Sequence, residues 1–228
     1  MGPKKDQSVA QLQKKLEEYE KKFRALEVRV EKLEASESVL KAVTSNLRNE
    51  LDSLDQYGRR SNILIRNIEI DETDSKDDDQ EKIEIHVKDI IQKELKLPAC
   101  AGEIDKLHRV GQKKEYQNKK FQNIVVRFKS HRSRYQVYRQ RAELKNNVKI
   151  NPHLTKKRGK LLHESIEIAD KIGAVNFVYA NIHGDICVRL TAAVNGTEYF
   201  SFQTTQQFLK KLSDLNIVEL DAEGNLVE

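Results

Sequence analysis

Eighteen lysines and arginines fall between Lys106 and Lys160, against two carboxylates, Glu115 and Glu143. A stretch of +16 sets up the field that binds polyanions, by displacing the counterions condensed on phosphate. The rest of the chain does not share the bias: residues 1–57 balance 11 cations with 11 anions, and residues 161–228 carry 4 against 10. The overall +5 therefore hides a strong segregation. A merely solubilising surface is the bland alternative to polyanion binding.

No reactive constellation accompanies these cations. There is no G-x-S-x-G, no H-E-x-x-H and no phosphate-cradling glycine loop. His86, His108, His131, His153, His163 and His183 show no ligand spacing with cysteine or carboxylate, and Cys100 and Cys187 are far apart, outside any CxxC pattern. Asp77-Asp78-Asp79 could hold Mg²⁺, but consecutive aspartates in a loop ordinarily make a solvated turn. The chain is expected to be a binding protein and not an enzyme, with no catalytic residue, metal or cofactor. No run of 18 apolar residues occurs and Met1–Asp6 lacks a signal peptide's apolar core, which predicts a soluble, intracellular protein without a membrane partner.

The elements that must position the cations begin with a rod. No proline or glycine occurs between Lys4 and Tyr57, and apolar residues recur at alternating spacings of three and four. With Val9 at a, the a series runs Val9, Leu16, Phe23, Val30, Glu37, Thr44, Leu51, and the d series Leu12, Tyr19, Leu26, Leu33, Leu40, Leu47, Leu54. A 3.5-residue period predicts a left-handed coiled coil over residues 1–57. In a parallel arrangement Lys15, Lys22 and Arg29 would meet Glu20, Glu27 and Glu34 of a neighbour, and only Glu50 with Asp55 repels. Tyr19 and Phe23 are bulky for a two-stranded seam, and Arg29-Val30-x-x-Leu33-Glu34 resembles the signature of parallel trimers, so a trimer is favoured over a dimer.

Residues 58–151 read as βαββαβ, the order of the ferredoxin-like fold used by RNA recognition motifs. The predicted elements are a strand Ser61–Ile68, an acidic loop Asp71–Asp79, and a helix through Ile83, Val87, Ile90, Ile91 and Leu95. A strand Ile104–Val110, a basic loop Gly111–Lys120, a strand Phe121–Phe128, a helix Ser130–Lys145 and a strand Val148–Ile150 follow. Period two puts Ile63, Ile65, Ile124, Val126 and Phe128 on the core side and Arg66 and Arg127 on an open face. Base-stacking aromatics of the usual signature are missing there, which argues against sequence-specific readout. Arg109, Arg132, Arg134, Arg139 and Arg141 are expected at the rim.

Residues 152–220 read as a small α/β domain: a helix after Thr155, a hairpin of Val175–Ile182 and Ile186–Leu190, a strand Tyr199–Phe202, and a helix from Thr204 to Leu215. Lys156, Lys157, Arg158 and Lys160 at the first helix's N-terminus make a candidate phosphate site. Residues 221–228 are an acidic tail expected to fray. The fold class is α+β throughout the part that follows the rod.

The heptad rod ending in Asp55–Ile68 (DQYGRRSNILIRNI), followed by Leu107–Gly111 (LHRVG), Ile124–Ser130 (IVVRFKS), Asn151–Leu162 (NPHLTKKRGKLL), Phe177–Leu190 and Phe208–Leu212 (FLKKL), resembles the first-open-reading-frame protein of LINE-class non-LTR retrotransposons, the transposase-22-like family. The resemblance covers nearly the whole chain. It implies a homotrimer that coats its own transcript as a largely sequence-independent single-stranded RNA binder and nucleic-acid chaperone, in cytoplasmic ribonucleoprotein particles or also in the nucleus. It implies further partners in single-stranded DNA and in the element's reverse transcriptase and endonuclease protein. Carried over by position, it marks Arg59, Arg60, Arg109, Arg127, Arg141, Arg158 and Tyr179 as RNA-binding. The rod is short for the family, so a stretch preceding it is expected to be missing or reduced. The competing expectation is a structural adaptor: a coiled coil carrying a protein-binding ferredoxin-like domain.

Overall fold

The structure, a computed structural model, describes residues 3–70, 76–116, 118–144, 147–173, 175, 177–192 and 196–226, with the side chains of 3–13, 76–79, 191, 192 and 196–198 outside the description. Of the acidic loop expected at Asp71–Asp79, residues 71–75 lie outside the described residues and 76–79 are instead the first turn of a helix, its acidic residues falling at the helix N-terminus. Lys145 and the side chains of Val9, Leu12 and Asp77–Asp79 also lie outside the described residues. Two compact units form, Met1–Leu51 and Asp52–Glu228.

A single helix, α1, runs from Pro3 to Gly58, as the absence of breakers predicts. In its first unit the described a and d residues, Leu16, Tyr19, Phe23, Leu26, Val30, Leu33, Leu40, Leu47 and Leu51, are 49–67% exposed. One chain gives this seam no cover. Surface pairs such as Glu37–Lys41, at 2.7 Å, contribute only a few tenths of a kcal/mol each.

The second unit opens with the last turns of α1, and Leu54 on them is also exposed. β1 (Asn62–Ile70) follows, then α2 (Lys76–Asp89), which widens into a π turn at Ile90–Glu94, and the short α3 (Pro98–Gly102). The π turn suits a sequence in which the neighbours Ile90 and Ile91, and Leu95 beyond them, are all buried. β2 (Ile104–Tyr116), β3 (Lys119–Phe128), α4 (His131–Arg139) with a 3₁₀ turn at Gln140–Glu143, and β4 (Lys149–Pro152) complete a four-stranded antiparallel sheet in the order β2-β3-β1-β4. The first and third strands are central, as expected. Ile63, Ile65, Ile124, Val126 and Phe128 join Ile83, Val87, Ile91 and Val137 in its core, all at 3% exposure or less.

Two expectations are corrected here. The basic loop at Gly111–Lys120 is instead a long hairpin, because β2 continues past the register shift between Val110 and Lys114 and pairs Lys114 with Phe121 and Tyr116 with Lys119. Asn118 makes the turn at φ 60°, a conformation asparagine tolerates. The second helix stops at Arg139, capped at its start by Ser130 Oγ accepting from Ser133 N–H, and does not continue as α-helix to Lys145.

α5 (Lys156–Ile172) and α6 (Thr205–Asp214) cover one face of a second antiparallel sheet, β5 (Phe177–Ala180), β6 (Ile186–Ala192) and β7 (Gly196–Phe202), in that order. Leu161, Ile186, Val188, Phe202, Phe208 and Leu212 form its core. Thr155 and Thr204 cap the two helices through their hydroxyls, and Gly173 at φ 68° ends α5. The tail from Asp221 is not frayed over its described part: Asp221 Oδ1 accepts from Glu223 and Asn225 N–H, and Leu220 bridges to Leu226.

Candidate nucleic-acid interface

The helices cover one side of the first sheet, and the other side carries cations. Arg66 pairs in register with Lys149, and Arg127 with Lys106 on one side and Asn62 on the other. Paired residues in an antiparallel sheet share a face, so Lys106 with Arg127 and Arg66 with Lys149 make two exposed cation pairs on the same face, four residues of β1 apart. Arg127 Nε lies 3.3 Å from Asp105, an exposed pair worth little. Arg66 and Arg127 thus sit on the open face as the alternation predicts. Lys106 and Lys149 join them without having been singled out, although strand alternation in β2 and β4 carried the signal.

Arg109 does not. It pairs with Ile124, a core residue, so it belongs to the helix side of the sheet and is half-buried. Val125, on the open face beside Leu64, is only 1% exposed, so that face is not bare along its whole length. At this end His153 Nε2 meets Arg59 Nη1 at 2.8 Å and its Nδ1 lies 3.4 Å from Asn62 Nδ2. Burial, and then the charge of Arg59, hold His153 down at about 4, with Asp55 opposing, so its ring is neutral at pH 7.

A second group of expected ligands is committed inside the fold. Arg158 donates from Nε to Asp52 Oδ2 and from Nη1 to Asp185 Oδ1 and Gly184 O, each at 3.0 Å, and is only 15% exposed. Thr155 Oγ1 donates to the other Asp52 oxygen at 2.5 Å. The carboxylate of Asp52 thus occupies the α5 N-terminus, where a phosphate was expected. Gln56, 4% exposed, donates to His153 O and accepts from Thr155 N–H. Gly184, at φ 84°, packs so closely on Gln56 that a Cβ there would collide with its side chain. Arg134 is 1% exposed, donates to Asn62 O and lies against the Tyr138 ring, and burial lowers its pKa to about 10. Arg59 is held by Asp55 and by Leu154 O.

Arg60, Arg132, Arg139, Arg141, Lys156, Lys157 and Lys160 remain exposed. Arg60 stacks on Tyr57, Arg141 lies 4.0 Å over Tyr138, and Lys160 is 3.4 Å from Glu164. Tyr138 in turn donates to Ala180 O, which ties α4 to the edge of β5. Tyr179 is 38% exposed on the outer face of the second sheet. Phe177, Arg189 and Tyr199 lie on that same face, paired in one row across three strands, with Arg189 5.8 Å over Tyr199. Of these residues only Tyr179 is a sequence-predicted ligand, although the alternation of the hairpin strands carried the signal for Phe177, Arg189 and Tyr199.

Among the described residues no group of three or more His, Cys, Asp or Glu is placed to hold a metal ion, and no helix is long and apolar enough to cross a membrane. No model of a known protein family matches the chain, and no curated protein matches it.

Proposed function

We propose that this protein is a coiled-coil-tethered, homotrimeric binder of single-stranded RNA, a coat and chaperone protein of the LINE-class first-open-reading-frame type, with the four-stranded sheet as a non-standard RNA recognition motif. The observation that carries it is the two cation pairs, Lys106 with Arg127 and Arg66 with Lys149, at separate levels of one sheet face. Four cations spaced along paired strands match a phosphate backbone better than a compact anion. They contact charge and not bases, which accounts for binding with little regard to sequence. Exposed arginines at the rim, Arg132, Arg139 and Arg141, extend the same field.

The seam on α1 supports the tethering. A lone helix of such length gains most of its stability from burying a face, and this one has apolar residues at 49–67% exposure waiting for neighbours. Three copies give each strand several low-affinity contacts at high effective concentration. The reverse transcriptase and endonuclease chemistry of retrotransposition would lie in a partner protein, and the ribonucleoprotein particle would be cytoplasmic, or nuclear as well.

Filter binding of the full chain to single-stranded RNA, single-stranded DNA and duplex DNA at several salt concentrations tests this. With about four phosphates engaged per subunit, log K should fall against log salt with a slope near −3 per subunit on single strands. A flat salt response, or no binding at low salt, overturns the reading and leaves the protein-binding adaptor. Sedimentation equilibrium should give a trimer. Leu26→Asp with Leu33→Asp should give a monomer whose RNA affinity is lower by roughly 100-fold.

A further inference from the structure

At the far end of the open sheet face, the hairpin that replaces the expected loop builds a cavity of about 250 Å³ lined by Asn67, Lys114, Tyr116, Phe121, Asn147 and Lys149. Its geometry follows from two irregularities. The register of β2 shifts between Val110 and Lys114, which brings Lys114 opposite Phe121 and leaves Tyr116 two residues further along the same side. The register of β1 shifts between Ile65 and Ile68 around Asn67, held at φ 61°, whose Nδ2 donates to Asn147 O at 3.0 Å. Bulges of this kind re-aim side chains at functional edges.

We propose that this cavity is a subsite for one nucleobase of a bound single strand, with the base against Tyr116 and Phe121 and the flanking phosphates on Lys114 and Lys149. The proposal rests on the RNA-binding reading above and deepens it. Size favours one ring system: the cavity is smaller than the roughly 300–1,000 Å³ of pockets that enclose a whole small ligand. Tyr116 is 67% exposed, so its ring offers solvent-facing aromatic surface at the mouth of the cavity on which a base can stack. The cavity is continuous with one of the two cation pairs, because Lys149 both lines it and pairs with Arg66. The amides of Asn67 and Asn147 give its wall hydrogen-bonding groups of the kind that meet base edges.

Charge also sets the strand's direction of entry. Glu69, ion-paired to Lys119 at 2.8 Å, and Glu94 line the adjoining hollow that shares Tyr116 and Phe121. Carboxylates there repel phosphate, so the backbone passes on the Lys114 and Lys149 side. Stacking tolerates every base, which keeps the subsite consistent with sequence-independent binding.

The chain has no tryptophan, so Tyr116→Trp in the full-length protein creates a single reporter. Its fluorescence should be quenched by single-stranded RNA or DNA and not by an abasic strand carrying the same phosphates. Tyr116→Ala should lower affinity for base-bearing strands by roughly fivefold to a hundredfold, leave abasic-strand binding and the melting temperature unchanged, and be rescued by Tyr116→Phe. If the full chain binds RNA in the filter assay but the reporter is not quenched, or Tyr116→Ala binds as well as Tyr116→Phe, the subsite is wrong and the RNA-binding reading stands. If the full chain binds no RNA, both fall.

Discussion

Arg66 and Arg127 stand in solvent on the sheet, whereas Arg134 and Arg158, of the same type and in the same compact unit, are 1% and 15% exposed. What differs is the surroundings. Around Arg158 the fold gathers Asp52, Asp185 and a backbone carbonyl, and around Arg134 it offers Asn62 O and a tyrosine ring. On the open face Arg66 has a cation, Lys149, across from it, and Arg127 has Lys106 on one side, Asn62 on the other and an exposed pair with Asp105. Repulsion within each cation pair makes it slightly unfavourable when nothing anionic is bound. The inner arginines are spent on the fold; the outer ones are the group that the proposed function assigns to phosphate.

Breaking the junction should have the largest effect. Arg158→Met leaves Asp52, 13% exposed, without its cation and should cost about 2–4 kcal/mol, since removing one partner of a largely buried pair strands the other. A urea melt of the full chain reads this, and RNA affinity measured well below the transition should change less than about twofold. If affinity collapses while the melt does not move, Arg158 belongs with the outer group.

Acid should loosen the same junction. His153 is kept neutral in the fold, at about 4, against an unfolded value near 6.5. The unfolded chain then binds the proton first, so the contribution is complete above about pH 6.5 and is lost as pH falls toward about 4; because the ring is only half-buried, solvent screening keeps the loss to about 1–2 kcal/mol. Stability measured from pH 7 to 5, a window above most carboxylate titrations, should decline in the natural chain and stay nearly level in His153→Gln. An equal decline in both would place the sensitivity elsewhere.

On the open face the expectation is reversed. Arg66→Gln or Lys149→Gln should leave stability within about 0.5 kcal/mol, as surface substitutions do. Each should reduce the salt slope by about 0.7, one phosphate contact on a single strand. A variant that unfolds without altering the slope would erase the distinction between the two groups.

Much of this architecture was legible in advance because it depends on local periodicity. Heptads marked α1, alternation placed Ile63, Ile65, Ile124 and Val126 inside, and Ser130, Thr155 and Thr204 announced three helix starts that their hydroxyls do cap. What could not be read was long-range pairing. Asp52 and Arg158 are 106 positions apart and Gln56 and Thr155 are 99, so no window of sequence sets them together. The strand register that puts Arg109 on the helix side depends on a partner strand, and the hairpin around Asn118 was hidden by its polar composition. Charge counting alone therefore placed inner and outer arginines in one class.

The smallest expected effect lies on α6. Lys210 and Lys211 are exposed, like the cations of the open face, but they belong to residues 161–228, where acids outnumber bases 10 to 4. The helix is anchored from its other side, by Phe208 and Leu212 in the second core, so neither lysine supports packing. Attraction from a cation to a strand bound elsewhere decays over a Debye length, about 8 Å at physiological salt. Lys210→Gln with Lys211→Gln should therefore shift RNA affinity less than about twofold and stability by no more than about 0.5 kcal/mol. Should this pair lose RNA while Arg66→Gln and Lys149→Gln keep it, the binding surface would have to be moved to the second sheet, where the row of Phe177, Arg189 and Tyr199 would become its centre.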